Sequence, residues 1–150
     1  QKIKTNALFY DTYDVKQGET PESIADKLYD NPELHWIILL VNDITDRYHQ
    51  WPMSYSQFLQ FVNDKYADPN GVHHYEIAQS SGDTSKTIEV YANSALYSGD
   101  SDFYNSATTI TNIEYEDNRQ DELRKIRLLD PNYVDQFVEE YETLMKESII

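Results

Sequence analysis

A strand, a tight turn and a capped helix follow one another within residues 13–29, and this run constrains the fold more than any other part of the chain. Val15 ends a short β-type segment, and Gly18 supplies a turn residue without Cβ restriction. Thr20 is placed as a helix N-cap, with Pro21 at the first helical position. The apolar residues of this helix share one face: Ile24, Ala25 and Leu28. The run therefore predicts a strand followed by an amphipathic helix.

A second helix start signal comes at Asn31, with Pro32 at the first helical position and Glu33 where a carboxylate favours the helix dipole. The body of this helix, residues 36–41, is apolar on every side. Such a helix is normally surrounded by protein, and it is much shorter than the roughly 20 apolar residues that a bilayer requires. We therefore place it at the centre of the core or of an interface.

The chain is strongly acidic, with 12 Lys and Arg residues against 27 Asp and Glu residues and a net charge of −15. This charge argues against nucleic acid and against an anionic membrane surface as partners. The absence of cysteine excludes a disulfide framework and a thiolate site, and it suits a reducing compartment. No signal peptide or transmembrane segment is recognisable, and the first residue, Gln1, is not a methionine, so we expect residues upstream of it.

The middle of the chain is more polar and more irregular. Residues 43–53 are expected to form a surface loop, because turn formers come first and Pro52 cannot donate to a central sheet. A third helix should follow Ser54 and end near Asp68. From residue 72 to about residue 116, β-prone runs separated by Gly, Ser and Asn predict a small β-rich insertion with an acidic surface.

The last part of the chain has one ambiguous segment and one clear helix. Residues 122–129 fit a strand or a helix, and we favour the strand, in which Ile126 and Leu128 face one way. Asp130 and Pro131 then open a final amphipathic helix with an acidic outer face.

The predicted elements give an α+β fold in three parts. A strand-helix-helix core with an added helix occupies residues 1–66, and the acidic, irregular β-rich insertion occupies residues 67–117. A basic strand-like segment and the C-terminal amphipathic helix occupy residues 118–150 and are expected to pack on the core.

The chain carries no recognisable catalytic or metal-binding motif. His73 and His74 are adjacent, and on a regular strand they would point to opposite faces and could not share one metal ion. Asp43 and Asp46 flank a turn but lack the Gly and distal Glu of an EF-hand loop. No Gly-rich phosphate loop, nucleophile elbow or Walker pattern occurs. We therefore expect no catalytic residue, no metal site and no cofactor.

Two features are candidates for contact with another protein. Trp51, in an aromatic loop with Tyr48, is either a hydrophobic plug over the core or an exposed anchor. A basic island either docks a carboxylate-rich surface, such as the acidic part of a neighbouring copy, or is a solvated face beside the last helix. The island consists of Arg119, Arg124, Lys125 and Arg127.

Residues 13–42 resemble a LysM module, a family that folds as strand, helix, helix, strand. The matching positions are Gly18, Glu19, Thr20, Ile24, Ala25, Tyr29, Trp36 and Asn42. A standard LysM continues with a tight turn and a strand ending in Ile-Pro, whereas here a longer aromatic loop leads to residues 51–53 in that role. This difference alters one of the two loops that line the family's glycan groove.

A second resemblance covers more of the chain. The LysM-like piece (residues 13–53), the helix ending at Tyr66, residues 121–129 and the closing amphipathic helix come in the same order as in another family. This order is similar to that of the LysM-containing baseplate wedge subunit of T-even-like contractile-tailed bacteriophages. The N-terminal segment of that family has no counterpart here, which is consistent with Gln1 being internal.

The second resemblance implies a structural, non-enzymatic virion protein of the tail baseplate, assembled in the host cytoplasm. Its implied partners are other wedge and tail subunits, in several copies per particle. The expected interface residues are Gly18, Glu19, Thr20, Tyr48, Trp51, Arg124 and Arg127. The alternative is a LysM-type module that binds peptidoglycan for a tail or cell-wall protein. A murein hydrolase is a weaker third hypothesis, because the chain shows no catalytic set.

Overall fold

The computed structural model describes residues 9–78, 82–83, 85–91 and 101–149. These residues form a mixture of helices and strands, so the predicted α+β class is confirmed. The chain divides into unit 1, which is Gln1–Tyr55 with Asp121–Ile150, and unit 2, which is Ser56–Gln120. The predicted division into residues 1–66, 67–117 and 118–150 stays a prediction.

Unit 1 begins with a strand and two helices in the predicted order. Strand β1 is Tyr10–Asp14, helix α1 is Pro21–Tyr29 and helix α2 is His35–Val41. The side-chain oxygen of Thr20 accepts a hydrogen bond from the Ser23 N–H, and the Ser23 hydroxyl oxygen accepts one from the Thr20 N–H. This reciprocal capping box satisfies two backbone donors that the helix start would otherwise leave unpaired. The predicted start of α1 is confirmed.

The apolar helix α2 lies in the core of unit 1. Ile37, Ile38 and Val41 are fully buried. One 3₁₀ turn precedes α2, with Pro32 at its first position and the Asn31 side chain accepting a backbone hydrogen bond. Burying an apolar side chain of this size contributes roughly 1.5–3 kcal/mol to the stability of the fold. The predicted central position of this helix in the core is therefore confirmed.

The strand that completes the sheet of unit 1 comes from the far end of the chain. β1 pairs antiparallel with β5 (Lys125–Leu129) along its whole length. Ile126 and Leu128 are buried, whereas residues 51–53 form no strand. The prediction that residues 51–53 take the role of the closing strand is therefore wrong. Pro52 has no N–H for a ladder, while β5 offers the alternating apolar pattern of a half-buried strand.

Two further helices belong to unit 1. The short helix α3 (Arg47–Gln50) lies within the stretch that was predicted to be a loop. Helix α7 (Val134–Ile149) follows a 3₁₀ turn that Asp130 caps, as the Asp-Pro signal predicts. Phe137 of α7 is buried against the core cluster that contains residues of α2 and β5. The final helix is therefore confirmed.

Unit 2 contains a three-stranded antiparallel sheet and helix α4 (Tyr55–Lys65), except for Tyr55, which belongs to unit 1. The strand order is β3-β2-β4. Strand β2 is Val72–Ala78, β3 is Thr87–Tyr91 and β4 is Thr108–Thr111. The β-prone runs of the insertion are therefore strands, and the helix predicted after Ser54 is also present.

Two helices lie where the sequence predicted strands or loops. Helix α5 (Ser101–Ser106) precedes β4, and helix α6 (Asn112–Arg124) follows β4 directly. The strand predicted for residues 122–129 therefore begins only at Lys125, since the preceding three residues are helical. Polar residues occupy every side of α6, so no apolar periodicity identifies it in the sequence. None of the described helices is long and apolar enough to cross a membrane.

Candidate protein interface

Trp51 is part of the core of unit 1. Its side chain is 8% exposed and belongs to a cluster that includes Val15, Ile38 and Leu128. The indole N–H donates to the backbone carbonyl of Glu19, with an N–O distance of 2.9 Å. Of the two interpretations that the sequence leaves open, the hydrophobic plug is the one that the structure supports. Trp51 also fixes the end of α3, because it is the C-cap residue of that helix.

The predicted interface residues between β1 and α1 have roles in local folding. Gly18 adopts a positive φ of 78°, which L-residues with a Cβ rarely adopt. The Tyr13 hydroxyl donates one hydrogen bond shared between the two Glu19 carboxylate oxygens, at 2.8 and 2.9 Å, and the Lys16 N–H donates to the same carboxylate at 2.7 Å. Burial, and then the Glu19 carboxylate, raise the pKa of Tyr13 to about 12. Thr20 is the N-cap of α1.

The Asn42 side chain connects α2 to β5 by hydrogen bonds to backbone groups of both elements. Its amide group donates to the carbonyls of Ile38 and Arg127, both at 2.8 Å, and its carbonyl accepts from the Arg127 N–H at 2.9 Å. The Arg127 side chain in turn donates to the Val41 carbonyl and lies over the Tyr10 ring. Sequence reasoning placed Asn42 in a family pattern but missed this role, because β5 is distant in sequence.

Two residues of the basic island form ion pairs with nearby carboxylates. Arg124 forms an ion pair with Asp121, and Lys125 forms one with Glu122, each across three residues. Arg119 is exposed but belongs to unit 2, whereas the other three residues belong to unit 1. The charge that sequence reasoning assigned to docking is therefore partly satisfied within the chain. A docking role for Arg124 and Arg127 stays a prediction.

Large apolar side chains of unit 1 remain accessible on α3 and α7. Tyr48 is 86% exposed, and its N–H is held by the Asp46 carboxylate at the start of α3. On α7, Tyr141, Leu144 and Met145 are 36%, 48% and 47% exposed. We call these three α7 residues the C-terminal apolar face. An aromatic side chain with a polar tip, such as Tyr48, is a typical anchor in protein interfaces.

An ion pair that sequence reasoning missed links α3 to α1. The Arg47 guanidinium donates to both carboxylate oxygens of Glu22, at 2.6 and 2.8 Å. The hydrogen bonds from Arg47 lower the pKa of Glu22 to about 2, against the opposing effect of burial. His35 Nε2 lies 3.9 Å from the same carboxylate. The two residues are 25 positions apart, and no local sequence pattern predicts an ion pair at that separation.

An open groove of about 550 Å³ lies along the β1–β5 pair. It is lined by Thr12, Tyr13, Asp14, Asn42, Lys125, Ile126 and Arg127. Among the predicted interface residues, Arg127 alone lines this groove. The structure thus distributes the predicted residues over a turn, a core position, a helix and a strand of unit 1, and it does not gather them into one patch.

Unit 2 holds the two adjacent histidines side by side. A β-bulge between Val72 and His74 shifts the register with β4, and the Nδ1 atoms of His73 and His74 are 2.8 Å apart. The His73 ring stacks on Tyr115 with centroids 3.7 Å apart. His74 is 2% exposed, and its Nε2 lies 2.8 Å from a Glu76 carboxylate oxygen. The expectation that the two rings point to opposite faces is wrong, because a bulge breaks the strand alternation.

Glu116 is a buried carboxylate of unit 2, with 2% of its surface exposed. It accepts hydrogen bonds from Lys65 Nζ at 2.7 Å and from the Tyr66 hydroxyl at 2.8 Å. Burial alone would raise its pKa, but the hydrogen bonds from Lys65 and Tyr66 outweigh burial and hold the pKa below the usual range. This network is structural, since all its polar groups face one another.

Comparison with known proteins assigns the chain to a class. Residues 2–146, nearly the whole chain, match the family described as Base plate wedge protein 53. The chain therefore belongs to this family of phage baseplate wedge proteins, which are structural proteins of the virion tail. One relative is the baseplate wedge protein gp53 of Enterobacteria phage T4, which is 37% identical over 60 residues. That alignment spans 40% of this chain and 31% of the T4 protein.

Proposed function

We propose that this chain is a structural, non-enzymatic subunit of a phage tail baseplate wedge. In this role it joins neighbouring wedge and tail subunits through protein–protein contacts, in several copies per particle, after assembly in the host cytoplasm. The observation that carries the proposal is the family match across residues 2–146. The net charge of −15 is consistent with protein partners rather than nucleic acid or an anionic membrane.

The proposal includes a LysM-like core in unit 1 whose closing strand is β5. The order β1, α1, α2, β5 is strand, helix, helix, strand, and the two strands are antiparallel neighbours. Residues 42–124 then form an insertion between α2 and the closing strand. This arrangement keeps the resemblance at residues 13–42 and replaces the closing strand that the sequence suggested.

The position of Trp51 favours protein contacts over glycan binding. In a LysM module the glycan groove lies between the loop after the first strand and the loop after the second helix. Here the indole N–H of Trp51 is bonded to the Glu19 carbonyl, so the corresponding loops contact each other. Because the Trp51 side chain is buried there, a sugar would have to displace part of the core of unit 1.

We assign the protein contacts to Tyr48 and to the C-terminal apolar face. Tyr48 is the most exposed large hydrophobic side chain among the described residues, and Trp51 supports it by fixing the end of α3. Leu144 and Met145 carry apolar surface on a helix whose first turns pack on the core. The other predicted residues, Gly18, Glu19, Thr20, Arg124 and Arg127, would contribute by shaping the surface around these anchors.

The proposal is tested by affinity capture of the tagged chain from phage-infected cells, followed by mass spectrometry. The Tyr48→Ala variant removes an anchor, and Tyr55→Ala is a matched control, because Tyr55 is also an exposed tyrosine of unit 1. We expect the parent and Tyr55→Ala to retain other tail proteins, and Tyr48→Ala to retain less of them. A second variant, Leu144→Asp, should weaken capture through the C-terminal apolar face.

Parallel sedimentation with purified peptidoglycan distinguishes the alternative function. Saturable cosedimentation without capture of tail proteins would contradict the structural proposal and favour a glycan-binding module. Lysis of purified cell walls in a turbidity assay would contradict the non-enzymatic part of the proposal. Capture of tail proteins with neither effect would support it.

A further inference from the structure

Three potential metal ligands meet on one face of the β2–β3 pair. His74 and Glu76 are two positions apart on β2 and therefore share a face, and Glu89 of β3 is directly opposite Glu76. One ligand atom from each side chain, an imidazole nitrogen or a carboxylate oxygen, lies within 4.8 Å of the other two. We propose that this cluster binds a divalent transition-metal ion, with Zn²⁺ as the best match.

The two carboxylates are unfavourable neighbours without a cation. Like charges directly opposite each other on antiparallel strands destabilise the pair. From residue 67 to residue 116, Lys86 is the one lysine or arginine in the sequence, and its Nζ lies 3.9 Å from Asp83. A metal ion between Glu76 and Glu89 would remove their repulsion.

His74 already has the orientation that a metal ligand requires. Metal-binding histidines characteristically form a hydrogen bond through the ring nitrogen that does not contact the metal. In His74, Nδ1 contacts His73 Nδ1 and Nε2 is directed toward the carboxylate of Glu76. His73 is itself fixed by stacking on Tyr115. The β-bulge therefore supplies the supporting partner, and His74 Nε2 becomes the ligand atom.

One imidazole nitrogen and two carboxylate oxygens determine which kind of ion the cluster can bind. Ca²⁺ and Mg²⁺ prefer oxygen ligands throughout, whereas Zn²⁺ combines imidazole nitrogen with carboxylate oxygen at about 2.0–2.2 Å. Ligand atoms around tetrahedral Zn²⁺ are roughly 3.3 Å apart, so the His74–Glu76 contact of 2.8 Å must open by a few tenths of an ångström. Glu89 is exposed, which gives the ion an entry side and leaves room for water as a fourth ligand. The bound ion would connect β2 to β3.

The test is isothermal titration of the whole chain with ZnCl₂ after removal of metal by EDTA and dialysis. The Glu89→Gln variant removes one ligand at an exposed position. Glu139→Gln is the matched control, because it removes the same charge from an exposed glutamate of α7. We expect one Zn²⁺ per chain, no change in affinity for Glu139→Gln, and a loss of about ten-fold or more for Glu89→Gln.

A stability measurement separates a lost ligand from a folding defect. Without metal, Glu89→Gln should be at least as stable as the parent, because the substitution removes a repulsive charge. Zn²⁺ should raise the melting temperature of the parent more than that of Glu89→Gln, and it should shift the NMR signals of His74. Equal Zn²⁺ affinity of Glu89→Gln and the parent would overturn the proposal. So would binding of Ca²⁺ or Mg²⁺ at the same residues with equal or greater affinity than Zn²⁺.

Discussion

In unit 1 the largest fully buried side chains are apolar, including Ile24, Ile37 and Leu129, whereas the interior of unit 2 also contains polar groups. Among the described residues, the buried polar or charged side chains all belong to unit 2: His74, Glu116 and Gln120. Apolar burial does not depend on protonation, but buried ion pairs and imidazoles do. We therefore expect pH and bound ions to affect the buried interior of unit 2 more than the apolar core of unit 1.

The chain provides separate probes for the two units. Its two tryptophans, Trp36 and Trp51, belong to unit 1, so tryptophan fluorescence reports on unit 1. The imidazole NMR signals of His73 and His74 report on unit 2. The two kinds of signal therefore distinguish a change in unit 1 from a change in unit 2.

The largest expected effect is in unit 1. The Trp51→Ala variant should lower the free energy of unfolding by about 3–5 kcal/mol, because it leaves a cavity in the core and removes the donor to the Glu19 carbonyl. Urea unfolding followed by the fluorescence of the remaining Trp36 measures this loss. Tyr48→Ala is the control and should change the free energy of unfolding by less than about 0.5 kcal/mol. A loss of assembly by Trp51→Ala with unchanged stability would show instead that Trp51 acts mainly as an interface anchor.

The next effect is in unit 2. The Glu116→Gln variant should lower the free energy of unfolding by about 1–3 kcal/mol, because it breaks the Lys65 ion pair and leaves a buried amide imperfectly paired. Urea unfolding followed by the His73 and His74 signals measures this change. Fluorescence of the tryptophans should show a smaller change, and equal changes in both probes would contradict the difference between the units.

The same residue gives unit 2 its dependence on pH. The pKa of Glu116 is lower in the folded protein than in the unfolded chain, so its stabilising contribution is complete above the unfolded pKa and is lost as pH falls through the folded value. Acidification should therefore destabilise the parent more than Glu116→Gln. Unfolding curves at neutral pH and at progressively more acidic pH check this sign. Parallel curves for the two proteins would remove Glu116 as the cause.

Asn42 is a polar side chain with a structural role inside unit 1. The Asn42→Ala variant leaves the backbone N–H and carbonyl of Arg127 without their side-chain partners and should cost about 1–3 kcal/mol. Denaturant unfolding followed by tryptophan fluorescence measures the loss, and it should not change between pH 5 and pH 8, because the amide does not titrate. Asn132→Ala, at an exposed position of unit 1, is the control. Equal effects at the two positions would show that the α2–β5 connection contributes little.

The smallest expected effect concerns the partly exposed pair of Arg47 and Glu22. Arg47→Lys should change stability by about 0.2–1 kcal/mol, because exposed ion pairs contribute little even when their geometry is good. Its clearer consequence is a rise in the pKa of Glu22 from about 2 toward the ordinary value, since Lys cannot donate two parallel hydrogen bonds. NMR titration of the Glu22 carboxyl measures the shift. An unchanged Glu22 pKa would show that the paired geometry is not what lowers it.

The elements that the sequence predicts correctly have local causes. Thr20 and Asp130 cap the helices that follow them, and the apolar residues of α2 require burial wherever the chain goes. The failures have non-local causes or lack a pattern. The partner of β1 is selected by packing across the whole chain, and α6 has no apolar stripe. The bulge at His73 depends on the register with β4, which no local signal fixes.

The candidate interface, like the fold, can be predicted from the sequence only in part. The aromatic loop identifies Tyr48 and Trp51 as important, but composition cannot tell an exposed side chain from a buried one when both are aromatic. The distinction comes from the Glu19 carbonyl, which lies 32 positions from Trp51 and offers a partner for its indole N–H. For the basic island the partners are local, because the carboxylates that pair with Arg124 and Lys125 lie only three positions away in sequence.

The pairing of β1 with β5 determines when unit 1 can fold during translation. Tyr29 donates to the Leu129 carbonyl, and the two residues are 100 positions apart. At about 5–20 residues per second, a ribosome needs roughly 5–20 s to synthesise the intervening segment. During that interval the apolar helix α2 lacks its closing strand, while unit 2 is contiguous and is synthesised completely before β5. We therefore expect nascent chains that stop after Gln120 but before Lys125 to aggregate or recruit a chaperone, although all of unit 2 has been synthesised in them.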